Sequence, residues 1–159
     1  MKMDKDLITI SKDLGKAEKY KLLIKQVKSF LEDEKDLVAN MANVAALIKT
    51  TFDFHWVGFY RLIEKELVLG PFQGPVACTR IEIPKGVCGK CVQDKQTIIV
   101  ADVHQFPGHI ACSALSNSEI VLPHLKNGKV DWVLDIDSIN FDEFDFTDKK
   151  NLEQIVELF

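Results

Sequence analysis

Cysteine is the residue type whose placement in this chain points most directly to chemistry. Cys78, Cys88, Cys91 and Cys112 lie together, and no other cysteine occurs among the 159 residues. One free cysteine reads as a small buried hydrophobe, but four gathered between positions 78 and 112 exceed what packing requires. Cys88-Gly-Lys-Cys91 has the C-x-x-C spacing of zinc knuckles and of dithiol oxidoreductases. With His109-Ile-Ala-Cys112 downstream, Cys88, Cys91, His109 and Cys112 make a candidate Cys3His zinc site that leaves Cys78 spare. Against that site, the chain has apolar residues enough to fold without metal, and the second pair sits in a Pro-Gly loop with no obvious knuckle. A thioredoxin-like dithiol fits less well, because there the motif opens a helix inside a βαβ unit. His104 and His109 flank Pro107-Gly108 just before Cys112, placed either to favour a thiolate or to hold the loop, and Asp102 is a candidate anchor for it. His55 and His124 have no chemical context and receive no role.

Such residues need a scaffold, and hydropathy outlines one. Tyr20, Leu23, Val27, Phe30 and Leu31 form an apolar helical stripe. A charged break at Asp33 to Asp36 separates it from a second stripe, Leu37, Met41, Val44, Ile48 and Phe52, so positions 16–52 hold a helical pair or one interrupted helix. Six short β-rich runs follow: His55 to Ile63, Leu67 to Phe72, Ala77 to Ile83, Thr97 to Val103, Ser118 to Leu125 and Val130 to Ile136. Asn127-Gly128 suits the positive φ angles of a type I′ hairpin turn, and Glu64-Lys65 is a second hairpin candidate. Two interruptions, Pro84 to Gln96 and His104 to Asn117, carry the thiols; the first has room for a short helix from Val87 to Asp94. Chemistry belongs on such loops, held by a sheet at about positions 55–138. Leu152, Ile155, Val156 and Phe159 repeat at helical spacing over 147–159, with Thr147 as candidate N-cap. No repeat or linker interrupts this order, which predicts one α+β domain over 1–159, an antiparallel six-stranded sheet with helices packed on it.

Composition removes whole classes of function. With 47% hydrophobic and 28% charged residues, the chain can bury a real core, which excludes long disorder. A net charge of −4 and only two arginines, Arg61 and Arg80, argue against nucleic-acid binding, which needs a concentrated basic face. No stretch approaches the roughly 20 apolar residues of a membrane span, and the start lacks an apolar signal region. A reducing cytoplasm is the expected location, where clustered thiols serve metal or redox chemistry more often than structural staples.

The segments Gly70-Pro-Phe-Gln-Gly-Pro-Val-Ala-Cys78-Thr-Arg-Ile, Gly86-Val-Cys88-Gly, Val100-Ala-Asp-Val-His-Gln-Phe-Pro-Gly-His-Ile-Ala-Cys112, Ser118-Glu119-Ile-Val and Leu134-Asp135-Ile-Asp137-Ser138 closely resemble the free methionine-(R)-sulfoxide reductases, a family built on the GAF domain. The match runs from about Trp56 to Asp145 and keeps the family's motif order and spacing. The resemblance implies Cys112 as nucleophile and Cys78 as the partner that resolves it, with Cys88 a second or substitute resolving thiol. Which of the two acts first stays open. Cys91 departs from the family pattern, so the C-x-x-C is incidental to it, although a thiol three residues from Cys88 could take part in exchange. Trp56, Glu119, Asp135 and Asp137 fall where the family places its substrate pocket.

The implied chemistry makes sense of these residue types. A thiolate attacks the electrophilic sulfoxide sulfur while the departing oxygen takes up a proton, so a nucleophile and an acid must converge. Clustered carboxyls raise the pKa of at least one member, and Glu119, seven residues past Cys112, is the candidate donor. Asp135 and Asp137 alternate on a strand and so share one face; a carboxylate cluster suits the free ammonium of an amino acid. Trp56 would wall the methyl sulfoxide. A sulfenic acid on Cys112 would condense with a second thiol to a disulfide, to be reopened by thioredoxin or a similar dithiol. No metal or organic cofactor is called for. The apolar faces of the leading helices suit a homodimer as easily as a core. The competing readings are a non-catalytic GAF module that binds a ligand or senses redox state, and the structural Cys3His zinc protein.

Overall fold

Tyr20, Leu23 and Val27 are fully buried along α1 (Lys16–Asp33), as their spacing predicts. In the computed structural model, which describes residues 9–110 and 112–159, the charged break does separate two helices. Asp36 caps α2 (Leu37–Phe52) by accepting from the Ala39 amide at 2.8 Å. Met41, Val44 and Ile48 are fully buried on α2, whereas Leu37 begins the helix beyond the core and stays exposed.

The strands are β1 (Trp56–Ile63), β2 (Glu66–Gln73), β3 (Arg80–Glu82), β4 (Ile98–Val100), β5 (Ser118–Lys126) and β6 (Lys129–Ser138). They form one antiparallel sheet in the order β3-β2-β1-β6-β5-β4. The β5–β6 turn has Asn127 at φ 53° and Gly128 at φ 73°, the positive values the Asn-Gly pair predicts. Glu64, at φ 57°, turns β1 into β2.

Period-two alternation divides the sheet into two faces. Val57, Phe59, Ile120, Leu122, Trp132, Leu134 and Ile136 join the core beneath α1, α2 and α4 (Phe146–Val156). Each large side chain buried there contributes about 1.5–3 kcal/mol. The stripes of α1 and α2 are thus taken up largely by the chain's own core. On the other face Trp56, Tyr60, Val121 and Val133 meet α3 (Gly86–Asp94).

Three sequence expectations need correction. The run from Ala77 to Ile83 yields a strand only at Arg80–Glu82, because the chain at Cys78 turns aside to meet Cys112. Thr97 to Val103 yields only Ile98–Val100, since Asp102 opens a 3-10 turn at Val103–Gln105 by accepting from the His104 amide. Thr147 is not the cap of α4. Asp145 is, accepting from the amides of Thr147 (2.6 Å) and Asp148 (3.2 Å), while the Asp148 carboxylate accepts from the Asp145 amide at 2.8 Å. This carboxylate box satisfies orphan amides and complements the helix dipole, which a threonine hydroxyl does less well. Asp148 also accepts from Tyr20 Oη (2.8 Å) and Lys16 Nζ (2.6 Å), tying α4 to α1.

Candidate active site

Strand register places the acidic residues. On β1, β6 and β5, Trp56 pairs with Asp137 and Asp137 with Glu119, so three side chains stand side by side across the sheet. The next row on that face is Gly58, Asp135 and Val121. Directly paired side chains stand about 4.5–5.5 Å apart. The carboxyls must therefore share a small volume, in which Glu119 and Asp135 are buried.

Physical consequences follow for every acid there. Burial, then the charges of Asp135 and Asp137, hold the Glu119 carboxyl well above the usual range. Asp135 is raised well above it too, by burial and then by Asp137, and burial lifts half-buried Asp137 to about 6. Glu119 is 6% and Asp135 7% exposed, so burial favours the neutral acid in both. Asp135 Oδ1 is buried with no hydrogen-bond partner. A buried polar atom left unpaired costs about 1–3 kcal/mol, a cost normally met by a ligand or water.

The wall beside the acids is aromatic. Trp56 stacks on Tyr60 (5.9 Å between centroids) and Phe72 (5.4 Å), and its indole donates to the Pro75 carbonyl at 3.1 Å. The ring lies over Gly58, where an added Cβ would stand 2.3 Å from Trp56 Cη2. Tyr60 Oη donates to the Cys78 carbonyl at 2.9 Å, linking the sheet to the thiol loop.

Cys78 and Cys112, 34 residues apart, are joined in a disulfide, with Cα atoms 5.4 Å apart. Cys112 lines the same pocket as Trp56, Cys88, Glu119, Asp135 and Asp137. The Cys112 loop is fastened at both ends: the Val103 amide donates to the Asn117 carbonyl (3.0 Å), and Asn117 Nδ2 donates to the Ile139 carbonyl (2.7 Å). Asp102 caps the turn that opens the loop, accepting from the His104 amide (3.0 Å) and Gln105 Nε2 (2.7 Å). His104 Nε2 meets Asn117 Oδ1 at 3.0 Å, so this histidine holds the loop. His109 Nε2 stands 3.9 Å from Glu119 Oε2, but burial and then the charge of His104 lower its pKa and so favour the neutral ring.

His55 has no chemical context in the sequence but gains one in the fold. Its Nε2 lies 3.0 Å from Ser113 Oγ, one residue past Cys112, bracing the loop against β1. No local spacing signals a contact 58 residues long. His124, also assigned nothing, meets Asp131 at 2.6 Å and stacks on Trp132, away from the pocket.

The Cys3His donor set is not assembled. Cys112 is spent on Cys78, the residue that reading leaves spare. Cys91 is buried on α3, its thiol donating to the Val121 carbonyl at 3.7 Å, and burial raises its pKa. Cys88, also buried on α3, instead has its sulfur within 4.8 Å of Glu119 and Asp135 oxygens, and burial followed by the charges of those two carboxyls pushes its thiol up.

The chain is 53% identical over 145 residues to GAF domain-containing protein A of Dictyostelium discoideum, covering 91% of this chain and 92% of that protein. It is 44% identical over 144 residues to the free methionine-R-sulfoxide reductase of Escherichia coli K12, covering 90% and 87%. Its fold superposes with a TM-score of 0.91 on the X-ray structure of the free methionine-R-sulfoxide reductase from Neisseria meningitidis in complex with its substrate, at 46% identity over 94% of this chain and 90% of that one. No protein-family model matches the chain.

Proposed function

The chain belongs to the free methionine-R-sulfoxide reductase family, and we propose that it reduces free methionine-(R)-sulfoxide to methionine, with Cys112 as nucleophile and Cys78 as the thiol that resolves it. The observation that carries this reading is the Cys78–Cys112 disulfide beside a pocket walled by Trp56 and lined by three raised-pKa carboxyls. In the reduced protein the Cys112 thiolate attacks the sulfoxide sulfur. Glu119, whose neutral acid form burial favours, donates a proton to the oxygen, because unprotonated oxide is a very poor leaving group. As the sulfur–sulfur bond made in the attack breaks, the protonated oxygen passes to Cys112, leaving a sulfenic acid there, and the substrate departs as a thioether. The Cys78 thiol then displaces that oxygen as water and closes the disulfide.

The unpaired Asp135 oxygen and the Asp137 carboxyl suit the ammonium of a free amino acid. A peptide-bound methionine has an amide nitrogen there, without charge, and cannot meet this demand. Trp56 and Tyr60 offer ring faces to the polarisable sulfur and its methyl group. Cys88, inside the pocket, is the substitute resolving thiol. Recycling needs an external dithiol of the thioredoxin kind, which opens the disulfide by exchange, and a reducing cytoplasm suits such a cycle. No helix among the described residues is long and apolar enough to cross a membrane.

The test is turnover of free methionine-(R)-sulfoxide with dithiothreitol as reductant, in the native protein and in Cys112→Ser. Methionine should form in the first and fall to background in the second. Equal background rates in both would replace this reading with a GAF module that binds or senses without turnover.

A further inference from the structure

The thiol and two of the carboxyls that serve the reaction also make a donor set of a second kind. Cys88 Sγ and one oxygen each of Glu119 and Asp135 lie within 4.8 Å of one another, all three residues buried. The substrate's ammonium would be satisfied by carboxylates alone; a thiol adds a soft donor, which metals of borderline softness favour. Asp135 Oδ1 is buried and unpaired, so the cluster has an acceptor to spare. No lysine or arginine lines the pocket among the described residues, and the histidine that does, His109, has its Nε2 3.9 Å from Glu119. Three acidic groups therefore face one another without a cation.

We propose that Cys88, Glu119 and Asp135 form a zinc site with its fourth position open to the pocket, so that zinc bound there shuts the substrate out. Zinc takes thiolate sulfur at about 2.3 Å and carboxylate oxygen at about 2.0–2.2 Å in tetrahedral array, which sets neighbouring donors about 3.4–3.6 Å apart. Donors already within 4.8 Å reach that spacing with shifts of about 1 Å, within the range of side-chain rotation. Two donors come from neighbouring strands and one from α3, so the backbone holds all three near position in advance. Binding displaces the thiol and carboxyl protons to solvent, and the divalent charge offsets the three anions left behind. This donor set differs from the one C-x-x-C suggests, since it takes Cys88 and omits Cys91. The blocking role rests on the reductase reading above, whereas the site itself does not.

The experiment uses untagged protein with the Cys78–Cys112 disulfide closed, so that Cys88 and Cys91 are the only thiols. Cobalt(II) is titrated as a spectroscopic stand-in, and zinc affinity is read by competition with a metallochromic indicator, with circular dichroism as a check of fold. The native protein and Cys91→Ser should both show a sulfur-to-cobalt charge-transfer band, absent from Cys88→Ser, whose zinc affinity should fall by about 100-fold or more. Glu119→Gln should keep the band and lose about 10-fold or more in affinity. A native protein without the band, a band that depends on Cys91 instead of Cys88, or zinc affinity indifferent to Glu119→Gln overturns the proposal. None of these readouts involves turnover, so failure here leaves the reductase reading intact, and an inactive protein can still show the site.

Discussion

Asp137→Asn should stabilise the ligand-free protein at neutral pH while weakening its chemistry. Asp137 is half-buried on β6 opposite Glu119, and burial lifts its carboxyl from 3.8 to about 6. An acid whose folded pKa is raised contributes stability that is fully present below the unfolded value and is lost as pH rises through the folded one. Here the loss begins near pH 3.8 and is complete a little above about 6. A shift of about two units corresponds to about 3 kcal/mol, the cost of holding this carboxylate in the native pocket near pH 7.5. Asparagine has nearly the same shape and no charge, so it removes that cost. Urea unfolding with the disulfide intact should give the variant about 3 kcal/mol more stability near pH 7.5 and less than about 1 kcal/mol more near pH 4. In a domain of this size that corresponds to a Tm higher by about 6–12 °C at neutral pH. An equal gain at both pH values, or none near pH 7.5, would refute the claim that buried charge at this position is held against the fold. Such an exchange of stability for function is expected where a site must attract a cationic group.

Other outcomes follow from the same geometry. Cys78→Ser should still release one methionine per chain in a rapid burst but recycle more slowly, read by comparing single-turnover with steady-state rates; an unchanged steady state would assign resolution to Cys88. Gly58→Ala places a Cβ 2.3 Å from Trp56 Cη2 and 2.5 Å from Phe72 Cβ, so the ring must shift by about 1–1.5 Å to regain ordinary contact. Its KM for the sulfoxide should rise about 10-fold or more, with urea unfolding run alongside to separate loss of fold. Asp148→Asn breaks a fully buried acceptor for Lys16 Nζ, Tyr20 Oη and the Asp145 amide, and should cost about 3 kcal/mol in urea unfolding without moving the active-site KM.

Features set by neighbours along the chain could be read directly from residue order. The stripe of Tyr20, Leu23 and Val27 had to face a core because helical periodicity puts those positions on one side. Asn127-Gly128 had to be a turn, since few other pairs accept two positive φ values. Asp135 and Asp137 had to share a face on any strand at all. The cap of α4 is legible too: Asp145 and Asp148, three apart and flanking Thr147, carry the capping-box spacing. Edge strands were overestimated because β-propensity marks apolar, branched segments without saying whether a partner strand is present, as at Ala77 and Val103.

The sequence alone determined which groups could react and, through the motifs around Cys78, Cys112 and Glu119, which family they resemble. Tertiary structure decided which groups meet. Register across β1, β6 and β5 sets Glu119 beside Asp137, and loop closure brings Cys112 to Cys78 instead of to the C-x-x-C pair. The packing of α3 against the sheet delivers Cys88, and not Cys91, to the two buried carboxyls. These contacts join segments far apart in the chain, so their partners are chosen by the global pairing of strands and by burial, and no local spacing encodes them.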